Sequence, residues 1–287
     1  MIRLLLALTL GLGTVTTPSV PQWTTLWTTP WTTPWTALWT DEFDGLAGTP
    51  PSTDNWVFDL GRSYPGGAPD WGNNELQSYT RDPANTSLDG AGHLRITATR
   101  DSSGKWFSGR IETRRADFQP PAGGRLRIEA RLELPAGGPG YWPAFWTLGA
   151  PFRGDYTNWP RAGEIDVMEN INGQQVVHGT LHCGKTENGG PCKEDTGLTA
   201  DYTLPSAGFH TYAMEWSPTE LQWFVDDRLY STVKQSAVGT TTWKQTFNHG
   251  YFVLLNLAIG GDWPGKPTNA TVPGRSMTVD HVRVLTG

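Results

Sequence analysis

The chain has 287 residues and a formal net charge of −6, and its 22 Lys and Arg form no basic cluster in the globular part, which excludes the electrostatic footprint of a nucleic-acid binder. That length admits one large core or two modest ones, and an all-β sandwich commonly reaches roughly 200–250 residues as a single domain. With 15 Trp and 34 Gly among only 17% charged residues, the composition suits flat aromatic platforms on a turn-rich β framework, and so an uncharged ligand such as a sugar.

In chain order, residues 1–22 start with Arg3 and continue into a mostly apolar run over 4–12. The run is too short to cross a bilayer as a stable helix, so it reads as a cleaved secretory signal. Residues 23–38 repeat Trp at 23, 27, 31 and 35 between Thr-Thr-Pro and Thr-Thr-Leu spacers. Proline at that density prevents helix and sheet ladders, so the segment reads as an extended, solvated tail, either a spacer or a Trp ladder lying along a polysaccharide. Folded patterning begins at Trp39 and continues to Gly287 as short β-patterned runs, among them 93–99, 124–133, 209–216 and 221–225. Asp226-Asp227 then reads as a tight turn into 228–233. With no amphipathic helix in evidence, the fold class is all-β, an antiparallel sandwich or barrel. Cys183 and Cys192 flank a Gly/Pro-containing loop, and in an exported chain such a pair reads as a disulfide contributing roughly 2–3 kcal/mol. Two cysteines alone are too few for a metal site.

The run Gly163-Glu164-Ile165-Asp166-Val167-Met168-Glu169-Asn170 places three acids within six residues. Asp and Glu are poor strand formers and like charges on one face repel, so their clustering points to chemistry. Alternation puts Glu164 and Asp166 on one face and Glu169 on the other. A β-bulge near Val167-Met168 restores Glu169 to its partners' face, with Met168 as the adaptable filler. The outer Cα atoms are then on the order of 13 Å apart, a gap that two Glu side chains can close by leaning inward and Asp cannot. Retaining glycosidases hold a nucleophile and a general acid roughly 5–5.5 Å apart, and the charge of Asp166 between them raises the pKa of a neighbouring Glu.

This motif resembles that of glycoside hydrolase family 16, the laminarinase and lichenase family, and its six-residue bulged form is similar to that of the endo-β-1,3-glucanases. Further blocks resemble the family in order: 39–43, 71–77, 108–111, 141–146, 209–212 and 260–265, covering 39–287. The resemblance implies a β-jelly-roll sandwich of the concanavalin A-like type with a concave substrate cleft and no cofactor for catalysis. It assigns Glu164 as nucleophile, Asp166 as its helper and Glu169 as acid/base. Sugar subsites fall to Trp142, Trp146 and Trp263, whose indole faces can stack on pyranose rings, and to Arg110, Glu112 and Asn74. A structural Ca2+ is implied at Glu42, the carbonyl of Gly92 and Asp280.

His178 and His182 stand about 13 Å apart along a strand, too far to share one zinc ion. His182 reads instead as a cleft residue bonding substrate or Asp166, or as a satisfied core histidine. Asn85-Thr86-Ser87 and Asn269-Ala270-Thr271 are glycosylation sequons. The expected protein is a secreted, monomeric, retaining endo-hydrolase whose partner is a β-1,3-glucan or a mixed β-1,3-1,4-glucan, with neither nucleic acid nor membrane as a partner. A transglycosylase using the same acids and a non-catalytic carbohydrate-binding sandwich are the alternatives.

Overall fold

Alternating apolar and polar residues, interrupted by Gly, Pro, Asn and Asp, favour short half-buried strands, and a computed structural model of the chain describes residues 34–184, 192 and 198–287. The signal segment, most of the Trp-repeat tail and most of the loop between the cysteines lie outside the described residues. From Pro34 to Gly287 the chain forms one folded unit. Its first strands are β1 (Thr36–Asp41), β2 (Trp56–Phe58), β3 (Gln77–Tyr79), β4 (Thr86–Leu88), β5 (Leu94–Arg100) and β6 (Trp106–Ser108). There follow β7 (Arg110–Thr113), β8 (Leu126–Glu133), β9 (Tyr141–Gly149), β10 (Glu164–Glu169), β11 (Val176–His182) and β12 (Leu198–Thr203). The last are β13 (Phe209–Trp216), β14 (Glu220–Val225), β15 (Arg228–Lys234), β16 (Tyr251–Ile259) and β17 (Arg275–Thr286).

Two sheets result, as a jelly-roll sandwich requires. One runs β15-β14-β13-β8-β17-β5-β6-β3, with β1 beside β17 and β4 beside β5. The other, which carries the acids, runs β12-β11-β10-β9-β16-β7-β2. Pairing is antiparallel except between β3 and β6. Between the sheets lies a core to which Phe145, Ile165, Leu255 and Leu257 contribute from one side and Ile128, Leu132, Val282 and Val284 from the other. Each such side chain removed from water stabilises the fold by about 1.5–3 kcal/mol. A smaller cluster of Leu148, Phe152, Ala162, Phe252 and Leu254 packs with Tyr64, Tyr156 and Trp159, and so seats the 150–162 segment.

The structure corrects the sequence reading in three places. Strand β1 begins at Thr36, before the boundary expected at Trp39, because residues 36–41 pair with β17 and Trp39 packs edge-on against Trp56 at 5.7 Å. Two short helices, Gln235–Val238 and Thr240–Thr246, follow β15; they are too short to carry a readable period and are held by buried Trp243, whose indole donates to the Pro218 carbonyl. Asn85 is buried and its amide donates to the Thr97 carbonyl and the Thr99 hydroxyl, so that sequon is closed to a glycan. Cys183 and Cys192 form the expected disulfide, with Cα atoms 5.4 Å apart and both residues fully buried. Among the described residues no helix is long and apolar enough to cross a membrane.

Candidate active site

The required bulge is present. Asp166 lies opposite Trp146 of β9, Met168 opposite Phe145 and Glu169 opposite Ala144, so Val167 is the extra residue. Val167 and Met168 both turn into the core, while Glu164, Asp166 and Glu169 line one cleft. The bulged backbone is supported from behind: Trp223 of the opposite sheet donates its indole N–H to the Asp166 carbonyl at 2.8 Å. Glycine is required where β10 begins, because Gly163 has φ +81° and a Cβ there would fall 2.0 Å from the Tyr251 hydroxyl.

The cleft crosses the seven-stranded sheet and has a volume of about 860 Å³. Alternation along β9 directs Trp142, Ala144, Trp146 and Leu148 into it. Each outer glutamate accepts one indole N–H: Trp159 donates to Glu164 Oε2 at 3.1 Å, and Trp142 to Glu169 Oε1 at 2.9 Å. Trp142 also meets Trp263 edge-on at 5.6 Å, and Trp263 meets His178 at 4.8 Å. These indoles therefore orient carboxyls and at the same time offer apolar faces to a sugar ring.

Deeper in the cleft, the Arg110 guanidinium lies 4.4 Å from the ring centre of Trp71 and 4.8 Å from that of Trp146. Its Nε donates to Asp59 at 2.8 Å and its Nη2 to the Tyr64 hydroxyl at 3.0 Å. Trp146 is fixed from its other edge by Asn256, which in turn donates to Tyr79, and Tyr79 to Glu75. Trp146 is thus held by a buried polar network, and Trp71 by the Arg110 guanidinium and by the rings of Tyr64 and Tyr79, at 5.0 and 5.4 Å.

Burial dominates the electrostatics. It pushes the Glu164, Asp166 and Glu169 carboxyls up to about 8 each. For Glu164 the charge of Asp166 adds to the rise, while His182 opposes it. For Glu169 the charge of Asp166 again adds, and the Trp142 hydrogen bond opposes. Glu164 keeps 16% of its side-chain surface open to the cleft, so solvent tempers its rise more than that of Asp166, which is only 5% open. Three carboxyls this close cannot all ionise together, so their protons come off in steps that belong to the set and not to any one residue.

Two outcomes follow for Asp166→Asn. Removing its charge lowers the carboxyl values of Glu164 and Glu169, so the alkaline fall of kcat/KM, expected near pH 8 in the native chain, should move to lower pH by about one unit. A pH–rate series on both forms measures this, and an unmoved alkaline limb contradicts the coupling. Stability moves the other way. With its folded value near 8 against an ordinary 3.8, Asp166 costs nothing below pH 4, progressively more as pH rises between those values, and most above 8. The variant therefore gains on the native chain across that window, by roughly 1–2 kcal/mol at pH 8 once charge sharing is allowed for, or about 3–6 °C in Tm. Paired melts at pH 4 and pH 8 check it: the gain should be absent at the lower pH.

Several residues expected at the site lie elsewhere. Asn74 does not line the cleft: its amide donates to both carboxylate oxygens of Asp262, at 2.9 and 3.1 Å, tying the 70–76 turn to the 260–263 turn. Its neighbours Asn73 and Glu75 reach the cleft instead. Glu112 shares a face with Arg110 but lies beneath the cleft lining, accepting from Tyr64 at 3.2 Å and Arg153 at 3.1 Å. Burial and the charge of Asp59 push its carboxyl up to about 7. His182 lines the cleft with its Nε2 3.4 Å from Asp166, so it is not a core histidine. His178 is bound to Asp201 at 2.7 Å. The Glu42 carboxylate receives a bidentate pair from Arg283 at 2.8 Å, and Asp280 receives Arg131 at 2.7 Å. Both carboxylates expected to hold calcium thus carry a guanidinium partner here, which a bound cation would have to displace.

Other cleft residues were not singled out in the sequence. Trp159 stands five residues before Glu164, close enough to the motif to be suspected. Tyr64 and Tyr156, stacked 4.3 Å apart at one end of the cleft, come from loops and carry no periodic signal.

A sandwich with an indole-walled cleft and a bulged strand presenting paired carboxyls is the construction of an enzyme that acts on a sugar chain: a glycoside hydrolase. Residues 74–283 match the family described as glycosyl hydrolases family 16, and the chain belongs to that family. It is similar to a β-glucanase of Rhodothermus marinus, 35% identical over 85% of this chain and 82% of that one. It is 36% identical to a glucan endo-1,3-β-glucosidase of Cryptopygus antarcticus, over 78% of this chain and 80% of the other. Among solved structures, the endo-1,3-β-glucanase of Streptomyces sioyaensis superposes with a TM-score of 0.86 at 48% identity, covering 94% of this chain and 99% of that one.

Proposed function

We propose that the protein is a secreted, monomeric endo-β-1,3-glucanase that cleaves with retention of configuration. The observation that carries this reading is the one-residue bulge that turns Glu164 and Glu169 into the same cleft, each with an indole N–H on its carboxyl. Glu164 attacks the anomeric carbon and Glu169 protonates the departing glycosidic oxygen. A covalent glycosyl-enzyme results, and Glu169 then takes a proton from the water that releases it. Asp166 keeps the shared proton available by raising its neighbours' carboxyl values. Neutral glucan suits walls made of Trp142, Trp146 and Trp263, and the relatives that act on β-glucan support the linkage. The apolar run over 4–12 and the disulfide support export.

A reducing-sugar assay on laminarin, lichenan, agarose and galactan tests the proposal. The expected result is rapid release of reducing ends from laminarin, early oligosaccharide products of mixed length, and no action on agarose or galactan. Intact laminarin alongside cleavage of another polymer refutes the substrate. Laminarin bound but never cut refutes the enzyme reading, and accumulation of products longer than the starting oligosaccharide replaces hydrolysis by transglycosylation.

A further inference from the structure

We infer that Glu164, Asp166 and His182 also form a binding site for a borderline transition-metal dication, of the Zn2+ or Cu2+ class, whose occupation excludes the glycan. Three potential ligand atoms, one from each residue, lie within 4.8 Å of one another. His182 Nε2 is 3.4 Å from Asp166 Oδ2 and 3.8 Å from Glu164 Oε1. A tetrahedral zinc with bonds of about 2.0–2.1 Å needs ligand-to-ligand edges of about 3.3–3.4 Å. The His182–Asp166 edge already has that length, and the His182–Glu164 edge exceeds it by an amount that a small side-chain rotation removes.

An independent feature points to a ligand. Asp166 is 3% exposed, and its Oδ2, aimed at His182 and Glu164, is buried with no hydrogen-bond partner. A carboxylate oxygen left in that state is costly, and a cation satisfies it. The other atoms are arranged to suit. Trp159 occupies Glu164 Oε2, which leaves Oε1 facing His182. Thr180 lines the cleft from the same strand as His182, and a water or substrate oxygen from the cleft would take the fourth position. One imidazole and two carboxylates favour zinc or copper, whereas Ca2+ calls for six to eight oxygens and Mg2+ for an octahedral shell of them. His182 Nδ1 is buried without a partner, so the ring lacks the outer hydrogen bond that normally strengthens a metal-bound histidine, and binding is reversible. A metal held on Glu164 occupies the carboxylate assigned to attack the sugar, so metal and glucan exclude each other; only this antagonism rests on the proposed function.

Chelator-stripped full-length protein titrated with Zn2+ by calorimetry tests the site. One Zn2+ per chain is expected, with affinity lowered about tenfold or more in His182→Ala and again in Asp166→Asn, each variant first shown to unfold cooperatively. Co2+ should give the intense visible absorption of a four-coordinate ion, and Ca2+ should bind neither variant differently from the native chain. In Glu169→Gln, which keeps all three ligands without turning substrate over, a laminari-oligosaccharide should weaken Zn2+ binding. Zinc affinity unchanged in both ligand variants overturns the site, as does a six-coordinate Co2+ spectrum. Strong zinc binding without oligosaccharide competition overturns the antagonism alone, while failure of the glucanase reading would appear separately, in the metal-free laminarin assay.

Discussion

Glu164→Ala is expected to lose roughly 10⁴–10⁵-fold in kcat on laminarin, equivalent to about 5.5–7 kcal/mol of transition-state stabilisation. Without this carboxylate no covalent glycosyl-enzyme can form, and the retained hydrogen bond from Trp142 to Glu169 cannot substitute for a missing nucleophile. KM should change little, because Trp142 and Trp146 line the cleft independently of Glu164 and Trp146 is anchored by Asn256. The space vacated by the side chain admits a small anion. Azide supplied with an activated aryl glucoside should therefore restore turnover and yield the α-glycosyl azide, since it attacks the face that Glu164 would have attacked. Initial rates over a range of laminarin concentrations, with the azide product identified by its anomeric NMR signal, decide the matter. Activity within about tenfold of the native chain would remove Glu164 from the nucleophile's role.

The acid-bearing strand was unusually legible because its spacing contradicts its period. Two glutamates five residues apart cannot share a face of a regular strand, so a useful pair required a bulge, and the register shift falls at Val167. Runs such as 209–216 and 221–225 were legible for the ordinary reason that apolar and polar residues alternate, and they are β13 and β14. Depth was less legible than facing. Arg110 and Glu112 share a face as their spacing requires, yet nothing in a period of two tells that Arg153 reaches over to Glu112. The same limit applies to Asn74. Its block borders the cleft, but its amide is consumed by Asp262, 188 positions away. The pairing of Glu42 with Arg283 and of Asp280 with Arg131 was equally out of reach, because these contacts are made across strands and not along one. Tyr64 and Tyr156 lie on loops, where side-chain placement depends on the sheet below and not on a local repeat.

Glu169→Ala is expected to fail in a manner that separates it from Glu164→Ala. On laminarin, whose departing sugar oxygen must be protonated, kcat should fall by about 10²–10⁴-fold, the usual contribution of a general acid. On an aryl glucoside with a highly acidic leaving group the first step needs no proton, so a burst of released phenol should precede a slow phase as the glycosyl-enzyme on Glu164 waits for unactivated water. Azide should speed that slow phase and give the β-glycosyl azide, opposite in anomeric configuration to the product from Glu164→Ala. The alkaline limb of the native pH profile should also vanish on the aryl substrate, because the carboxyl that burial and the charge of Asp166 push up to about 8 is no longer there to lose its proton. Rapid-quench measurement of the burst, with product stereochemistry, checks each step. If both variants gave the same azide anomer, Glu164 and Glu169 would not be dividing the work as nucleophile and acid, and their shared cleft would serve a different chemistry.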